Sequence, residues 1–266
     1  MVLELHYGNT NTYLIKSKDG YILFDTCWAG TLPLFYKALG EVHVKIEEIS
    51  HLLISHFHPD HMGLAGQLSG LGIKTVIPEI QKDHIHDADN IFQKEKNHDY
   101  IPLDEKDIVY ISLSESRSFL KDLGIDGEIL STPGHSDDSI SLWLDEGTVL
   151  VGDLNPLYEL ELHRCTRIEK SWDLIFEKAK GFPAIKDIRI LYGHARPGEK
   201  KISSDAEIYQ LVKTIMKITD KGKTLEQISV KTKTDPQFVE DVIRMYLTHK
   251  DVGVQGILDR IEIKNR

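Results

Sequence analysis

Residues 55–63 read SHFHPDHMG, which sets His56, His58, Asp60 and His61 within one short stretch of chain. The stretch follows EEISHLLIS, a run apolar enough to be a buried strand that ends at Ser55. Metal-capable side chains therefore stand just beyond the carboxyl end of a strand, where open sheets leave room for ligands. Side chains alternate along an extended segment, so His56 and His58 point the same way. Four such ligands so close in sequence are awkward to satisfy around a single ion. Chance clustering of this kind is rare in a chain with 13 histidines.

Three further residues occur in a matching position, each at the end of an apolar run. His135 follows ILSTPG, Asp153 follows TVLVG and His194 follows IRILYG. Glycine immediately precedes each one, so the backbone can turn sharply and leave the polar side chain at a strand's exit. Alone, His135 or His194 reads equally well as a structural histidine. Together with His56, His58, Asp60 and His61 they complete seven ligands, enough for two metal ions.

The rest of the chain supplies a scaffold. VLELH, NTYLI and YILFD read as strands, the last two joined by the turn Lys18-Asp19-Gly20. LPLFYKALG reads as a helix stopped by Gly40, and His61 to Leu68 as the start of another, with Asp60 near its N-terminus. TVIP and IVYIS fit strands. IQKDHIHDADNIFQKEKNHDY is polar, as in a surface helix and loop, and SRSFLKDLG is a short helix. EILSTPG, SISLWLD and TVLVGD are three more strands, and the alternation of Ile140, Leu142 and Leu144 predicts a sheet with one buried face. SWDLIFEKAKG is a helix and IRILYG a last strand. The pattern predicts an α+β protein with two mixed sheets covered by helices on both outer faces.

After Gly198 the periodicity becomes helical. SSDAEIYQLVKTIMKITDKG and PQFVEDVIRMYLTHK are amphipathic, the second beginning from an Asp235-Pro236 cap, with LEQIS a short helix between them. VQGILDRIEI reads as a closing strand. Three helices and a strand resemble a helix-turn-helix domain, but Lys231 and Lys233 stand among many acids, and helices packing on the main domain are the favoured reading. The expected division is a main domain over 1–200 and a small helical domain over 201–266.

Composition narrows the function classes. The chain has 266 residues, 41% apolar and 28% charged, as in an ordinary globular protein. Lys and Arg number 32 against 42 Asp and Glu, and a formal charge of −10 opposes approach to a phosphate backbone, which disfavours nucleic acid as partner without excluding it. No segment has the make-up of a signal peptide or the length of a membrane span, so no membrane association and a cytoplasmic location are expected. In a reducing compartment Cys27 and Cys165 are expected to be free thiols.

HFHPDH, then TPGHSDDS, VGD and YGH, with NTYLI and ILFDT before them, resemble the metallo-β-lactamase superfamily of metal-dependent hydrolases over residues 1 to about 200. The resemblance implies a four-layer αββα sandwich, here with a small, mainly helical C-terminal extension. By motif, His56, His58 and His135 resemble the ligands of one ion, and Asp60, His61 and His194 those of the second. Asp153 resembles the bridging carboxylate and Asp25, in LFDT, the family's buried supporting aspartate.

The chemistry reaches the same place independently. Imidazole and carboxylate without thiolate suit Zn²⁺, Fe²⁺ or Mn²⁺, with zinc as the default. A hydroxide held between two such cations is a nucleophile at neutral pH, and Asp60 is placed to orient it. For substrate, the resemblance implies hydrolysis of a small-molecule ester, thioester or lactone, as in the glyoxalase II and lactonase branches. A phosphodiesterase or small ribonuclease of the same fold is the first alternative, and a non-catalytic metal-binding sensor the second. NPLYELELHRCTRIEKSW, after Asp153, is expected to border the pocket. Tyr158 is a candidate catalytic donor; His163, Arg164 and Arg167 are candidate substrate contacts; Trp28 and Phe57 are candidates for an apolar wall. Oligomeric state is not legible.

Overall fold

The computed structural model describes residues 1–194, 206–248 and 252–264, with side chains except at 158, 161, 162 and 262–264. The chain divides into two compact units, Met1–Gly193 and His194–Arg266. The boundary expected at 200/201 lies outside the described residues.

In chain order the first unit contains β1 (Val2–Leu5), β2 (Thr12–Ser17), β3 (Gly20–Phe24), α1 (Leu32–Glu41), β4 (Ile49–Leu53), α2 (Pro59–Met62), α3 (Ala65–Ser69), β5 (Lys74–Pro78) and α4 (Asp89–Lys94). It continues with β6 (Ile108–Ile111), α5 (Ser116–Asp122), β7 (Gly127–Ser131), β8 (Ile140–Leu144), β9 (Thr148–Leu150), α6 (Arg167–Lys180) and β10 (Arg189–Leu191). The strands form one sheet of order β1-β2-β3-β4-β5-β6 and another of order β10-β9-β8-β7. β1, β2 and β3 pair antiparallel, and β3 through β6 parallel. In the second sheet β9 and β10 are parallel, while β8 runs against both β7 and β9. β7, β9 and β10 thus run in one direction, and their carboxyl ends share one edge. β3 and β4 likewise end together.

The core between the sheets follows the two-residue period of a strand. Tyr13, Ile15, Ile22, Phe24, Leu53 and Val76 from the first sheet meet Ile129, Ile140, Leu142, Leu144, Leu150 and Leu191 from the second. On the first sheet's other face Leu14, Leu23, Leu52 and Ile77 pack with Phe35 and Leu39 of α1, Leu68 of α3 and Phe92 of α4. Helices and sheets stack as an αββα sandwich.

β8 departs from the expectation. Ile140, Leu142 and Leu144 do share the inter-sheet side, but every residue of β8 is buried. β8 lies between β7 and β9, and its opposite face is covered as well: Trp143 packs against Phe182, and Ser141 and Thr132 share a hydroxyl hydrogen bond of 2.7 Å. A second difference follows the histidine stretch, where the expected single helix is broken at Gly63 into α2 and α3.

The second unit contains α7 (Glu207–Thr219), α8 (Leu225–Thr232), α9 (Pro236–Thr248) and α10 (Val254–Lys264). Thr224 and Gln227 form a reciprocal cap at the start of α8, and the Asp235 carboxylate accepts from Phe238 N–H at the start of α9. The strand expected from VQGILDRIEI is instead helix α10. Ile257 and Leu258 are buried and Ile261 packs beside them, a spacing that belongs to one helical face rather than to alternation. They complete a core with Val212, Ile215, Val239 and Val242, so this unit has an apolar interior of its own.

Leu142 is fully buried between the sheets. Leu142→Ala should lower the stability of the first unit by about 2–5 kcal/mol, read as a lower urea midpoint with little change in slope.

Candidate metal centre

Five strand ends deliver the polar residues. Asp25 follows β3; His56, His58, Asp60 and His61 follow β4; His135 lies between β7 and β8; Asp153 follows β9; and His194 follows β10. The seven sequence-predicted ligands fall into three overlapping groups: His56, His58 and His135; His56, His61 and Asp153; Asp60, His61 and His194. Within each group the ligand atoms lie within 4.8 Å of one another.

Individual distances give the layout. His135 Nε2 lies 3.0 Å from His58 Nδ1. Two nitrogens on one tetrahedral zinc stand roughly 3.3 Å apart, given metal–nitrogen bonds near 2 Å, so this spacing suits a shared ion. Asp153 faces both ways: Oδ1 is 3.3 Å from His61 Nε2, and Oδ2 is 3.6 Å from His135 Nε2. Its carboxylate stands between the two sets of ligands.

Tautomers follow from the hydrogen bonds behind the cluster. The buried Asp25 carboxylate accepts from Ser55 N–H at 2.6 Å, from the Ser55 hydroxyl at 2.8 Å and from His61 Nδ1–H at 2.9 Å. The Ser55 hydroxyl has one proton, and Asp25 can only accept it. Ser55 Oγ must therefore accept from His56 Nδ1–H, 3.0 Å away. His56 and His61 are both held with Nδ1 protonated and Nε2 turned to the cluster, which is how an aspartate behind a metal site orients its imidazoles. Asp25 itself has φ 62°, the left-handed region that aspartate and asparagine tolerate better than most residues.

Two glycines make room for the arrangement. Gly152 has φ 55°, and a Cβ there would lie 2.5 Å from Ser55 Oγ. Gly193 has no such backbone requirement; a Cβ there would lie 2.6 Å from Asp153 Oδ1 and 2.7 Å from His61 Cε1. The sequence reading assigned it to a sharp turn, whereas its role is to leave space beside two ligands.

Electrostatics agree with a cation site. Burial, reinforced by His61, His135 and His58, holds the His56 imidazole well below its ordinary pKa and keeps it neutral. His56 is 1% exposed, and its Nε2 has no hydrogen-bond partner. A nitrogen lone pair sealed from water without a partner is costly, and a metal ion removes that cost. Burial would likewise depress His61, but Asp153 and Asp25 outweigh it and raise its pKa. The imidazoles, together with the buried carboxylates of Asp60 and Asp153, form a donor set that fits two divalent ions. His56, Asp60, His61 and His194 are buried, whereas His58 and His135 are partly open to solvent. The open side of the cluster is the one that His58 and His135 line.

Several supporting residues escaped the sequence reading. The Thr10 hydroxyl donates to Asp60 O, and the Thr26 hydroxyl to His61 O. Asn11 Nδ2 and the Tyr13 hydroxyl both donate to Tyr192 O, which fixes the backbone just before His194. Asp138 is 3% exposed and accepts from Phe57 N–H at 2.7 Å. The signal for the first group was present in NTNTY, a run of small polar residues entering a buried strand, where each hydroxyl or amide needs a partner.

The other candidates are placed as follows. Tyr158 falls in a 3-10 helix over Leu157–His163, and its side chain lies outside the described residues. His163 ends that helix, its Nε2 enclosed without a hydrogen-bond partner. Arg164 is exposed, with its guanidinium 3.8 Å from Glu169. Arg167 is exposed and paired with Asp137. Phe57 is core rather than pocket wall, and Trp28 packs edge-on against Phe92. Cys27 and Cys165 are free thiols, the first buried and the second exposed. Among the described residues no helix is long and apolar enough to cross a membrane.

Comparison with known proteins places these features in a family. The Metallo-beta-lactamase superfamily model matches residues 7–194. "Beta-lactamase-like protein 2 homolog" of Drosophila melanogaster is 29% identical over 197 residues, 73% of this chain and 61% of that protein. "Lactamase-like protein nscB" of Arthroderma benhamiae is 26% identical over 148 residues, 55% of this chain and 28% of that protein. The chain thus spans less than two thirds of the length of these relatives. Among solved structures, a metallo-beta-lactamase family protein of Thermus thermophilus superposes with TM-score 0.52 at 17% identity, over 98% of this chain and 92% of that one. A putative metallo-beta-lactamase of Thermotoga maritima gives 0.54 at 17% identity, over 75% and 98%. TTHA1623, solved in a di-iron-bound form, gives 0.52 at 17% identity, over 73% and 92%. At these identities the structures share the fold.

Asp25→Asn keeps a residue that tolerates the left-handed backbone but cannot accept all three hydrogen bonds. It should weaken metal binding about 10–100-fold, measured by chelator competition on protein whose circular dichroism matches the wild type.

Proposed function

The chain belongs to the metallo-β-lactamase superfamily, and from that premise we propose that it hydrolyses a small carboxylic ester, thioester or lactone with two divalent ions, zinc by default. Its family and its donor set both support a metal-dependent hydrolase. The observation that carries the reading is Asp153, whose two oxygens face His61 on one side and His135 on the other. One carboxylate placed between two ligand sets is what a dinuclear site requires.

Two divalent ions, held by His56, His58 and His135 and by Asp60, His61 and His194 with Asp153 between, would supply Lewis acidity and a water of lowered pKa. The chain's own groups do the rest. His58 and His135 border the open side, so the substrate carbonyl arrives over them. Asp60, buried at the start of α2, would accept a hydrogen bond from the attacking water and so aim its lone pair at the carbonyl carbon. Asp25 and Ser55 keep the imidazoles of His56 and His61 in one tautomer while charge develops nearby. No serine or cysteine nucleophile is called for in this scheme.

The carbonyl substrate is preferred over a phosphodiester on charge. A chain of formal charge −10 repels a polyanion at long range, and Arg167, a candidate for meeting a phosphate, is already paired with Asp137. A neutral or singly charged ester meets no such barrier.

Full-length protein loaded with zinc is tested against a thioester, a lactone, an aryl ester and a bis-phosphodiester in parallel. Turnover of one of the three carbonyl substrates, abolished by chelation and restored by zinc, is the expected result. Turnover confined to the phosphodiester would overturn the substrate class. Asp60→Asn should reduce turnover by about 10²–10⁴-fold with the thermal midpoint little changed.

A further inference from the structure

The loop between β4 and α2 and the loop between β7 and β8 come from different sheets, yet His58 from one and His135 from the other stand 3.0 Å apart. Something must hold the two loops in register. The Ile140 N–H donates to Ser55 O at 2.8 Å, and the Asp138 carboxylate accepts from Phe57 N–H at 2.7 Å. Gln81, contributed by the turn after β5, is fully buried beside both loops. Its Nε2 donates to Ile54 O at 2.9 Å, Ser55 O at 3.3 Å and Asp138 O at 3.1 Å.

We propose that Asp138, seated by Gln81, is a positioning residue that sets the spacing between His58 and His135 and so the affinity for the ion they share with His56. The inference rests on the dinuclear reading given above. Phe57 is the residue between His56 and His58. Its ring is buried in the core, and its N–H is tied to Asp138, so the peptide that carries both histidines is fixed on two sides. The same Asp138 lies three residues after His135, in a loop closed by a Ser136–Ser139 hydroxyl hydrogen bond of 2.7 Å. One carboxylate therefore connects the backbone of two ligands to the loop of the third.

The contact is charge-assisted and buried, which makes it both stronger and more directional than an ordinary hydrogen bond. Its removal leaves the Phe57 N–H without a partner in the interior. A metal site tolerates errors of only about 0.5 Å in its ligands, so slack between the loops falls first on the pair that bridges them. Asp60, His61 and His194 are held by other bonds, from Thr10, Thr26, Asp25 and the Asn11 and Tyr13 pair on Tyr192 O, and are not expected to move.

The experiment is a zinc titration in chelator competition on full-length wild type, Asp138→Ala, Asp138→Asn and Gln81→Met. His135→Ala serves as a reference that identifies the binding step belonging to the His56, His58 and His135 group. Wild type must bind two ions; a single ion or none would defeat the dinuclear reading itself. Given two ions, Asp138→Ala is expected to weaken the step lost in His135→Ala by about 10–100-fold and to leave the other within about threefold. Asp138→Asn, whose carbonyl still accepts from Phe57 N–H, is expected to restore most of that affinity. Equal weakening of both steps, an unchanged first step, or no rescue by asparagine would each overturn the assignment. Where Asp138→Ala does not fold, Gln81→Met decides: selective weakening of the same step supports the positioning role, and an unchanged step refutes it.

Discussion

Imidazoles do not gather by themselves inside a protein. Here three of them, from His56, His58 and His135, and three further ligand atoms, from Asp60, His61 and His194, form groups no wider than 4.8 Å, with Asp153 between. Burial keeps His56 neutral, so protonation does not relieve the crowding at its Nε2. A cation does. That single constraint accounts for why five strand ends are brought to one edge, and why glycine stands where any larger residue would press on Asp153 and His61.

The fold meets the constraint through strand direction. β7, β9 and β10 run the same way within their sheet, and β3 and β4 run the same way within theirs, so each ligand-bearing loop leaves from a carboxyl end. Apolar packing between the sheets supplies the rigidity, and buried hydrogen bonds supply the aim. Asp25 is the strongest case: a residue in a left-handed conformation, fully buried, that accepts three hydrogen bonds and thereby decides which nitrogen of two histidines is available. The N-terminal segment adds a second set of restraints, with Thr10 holding Asp60 and Asn11 and Tyr13 holding the backbone before His194.

Much of this was legible in the sequence because metal chemistry leaves few residue types to choose from. The HFHPDH stretch, and single ligands after ILSTPG, TVLVG and IRILYG, pointed to the groups that the structure brings together. What the sequence hid was long-range backbone satisfaction. Nothing local in the sequence marks Asp138, because its partner, Phe57 N–H, is 81 positions away. Gln81 sat in a stretch that read as surface, although three carbonyls from two loops converge on its amide. β8 showed an alternation whose second face is also buried, because Phe182, just beyond α6, covers Trp143. VQGILDRIEI has apolar residues that fit either period locally, and only packing against α7 and α9 selects the helix.

The central claim is that one carboxylate divides the ligands between two cations. Crystals of metal-reconstituted protein, measured on both sides of the zinc absorption edge, test it directly. Two anomalous peaks are predicted, one enclosed by His56, His58 and His135 and the other by Asp60, His61 and His194, with Asp153 between them. A single peak at full occupancy, or peaks away from Asp153, would contradict the account.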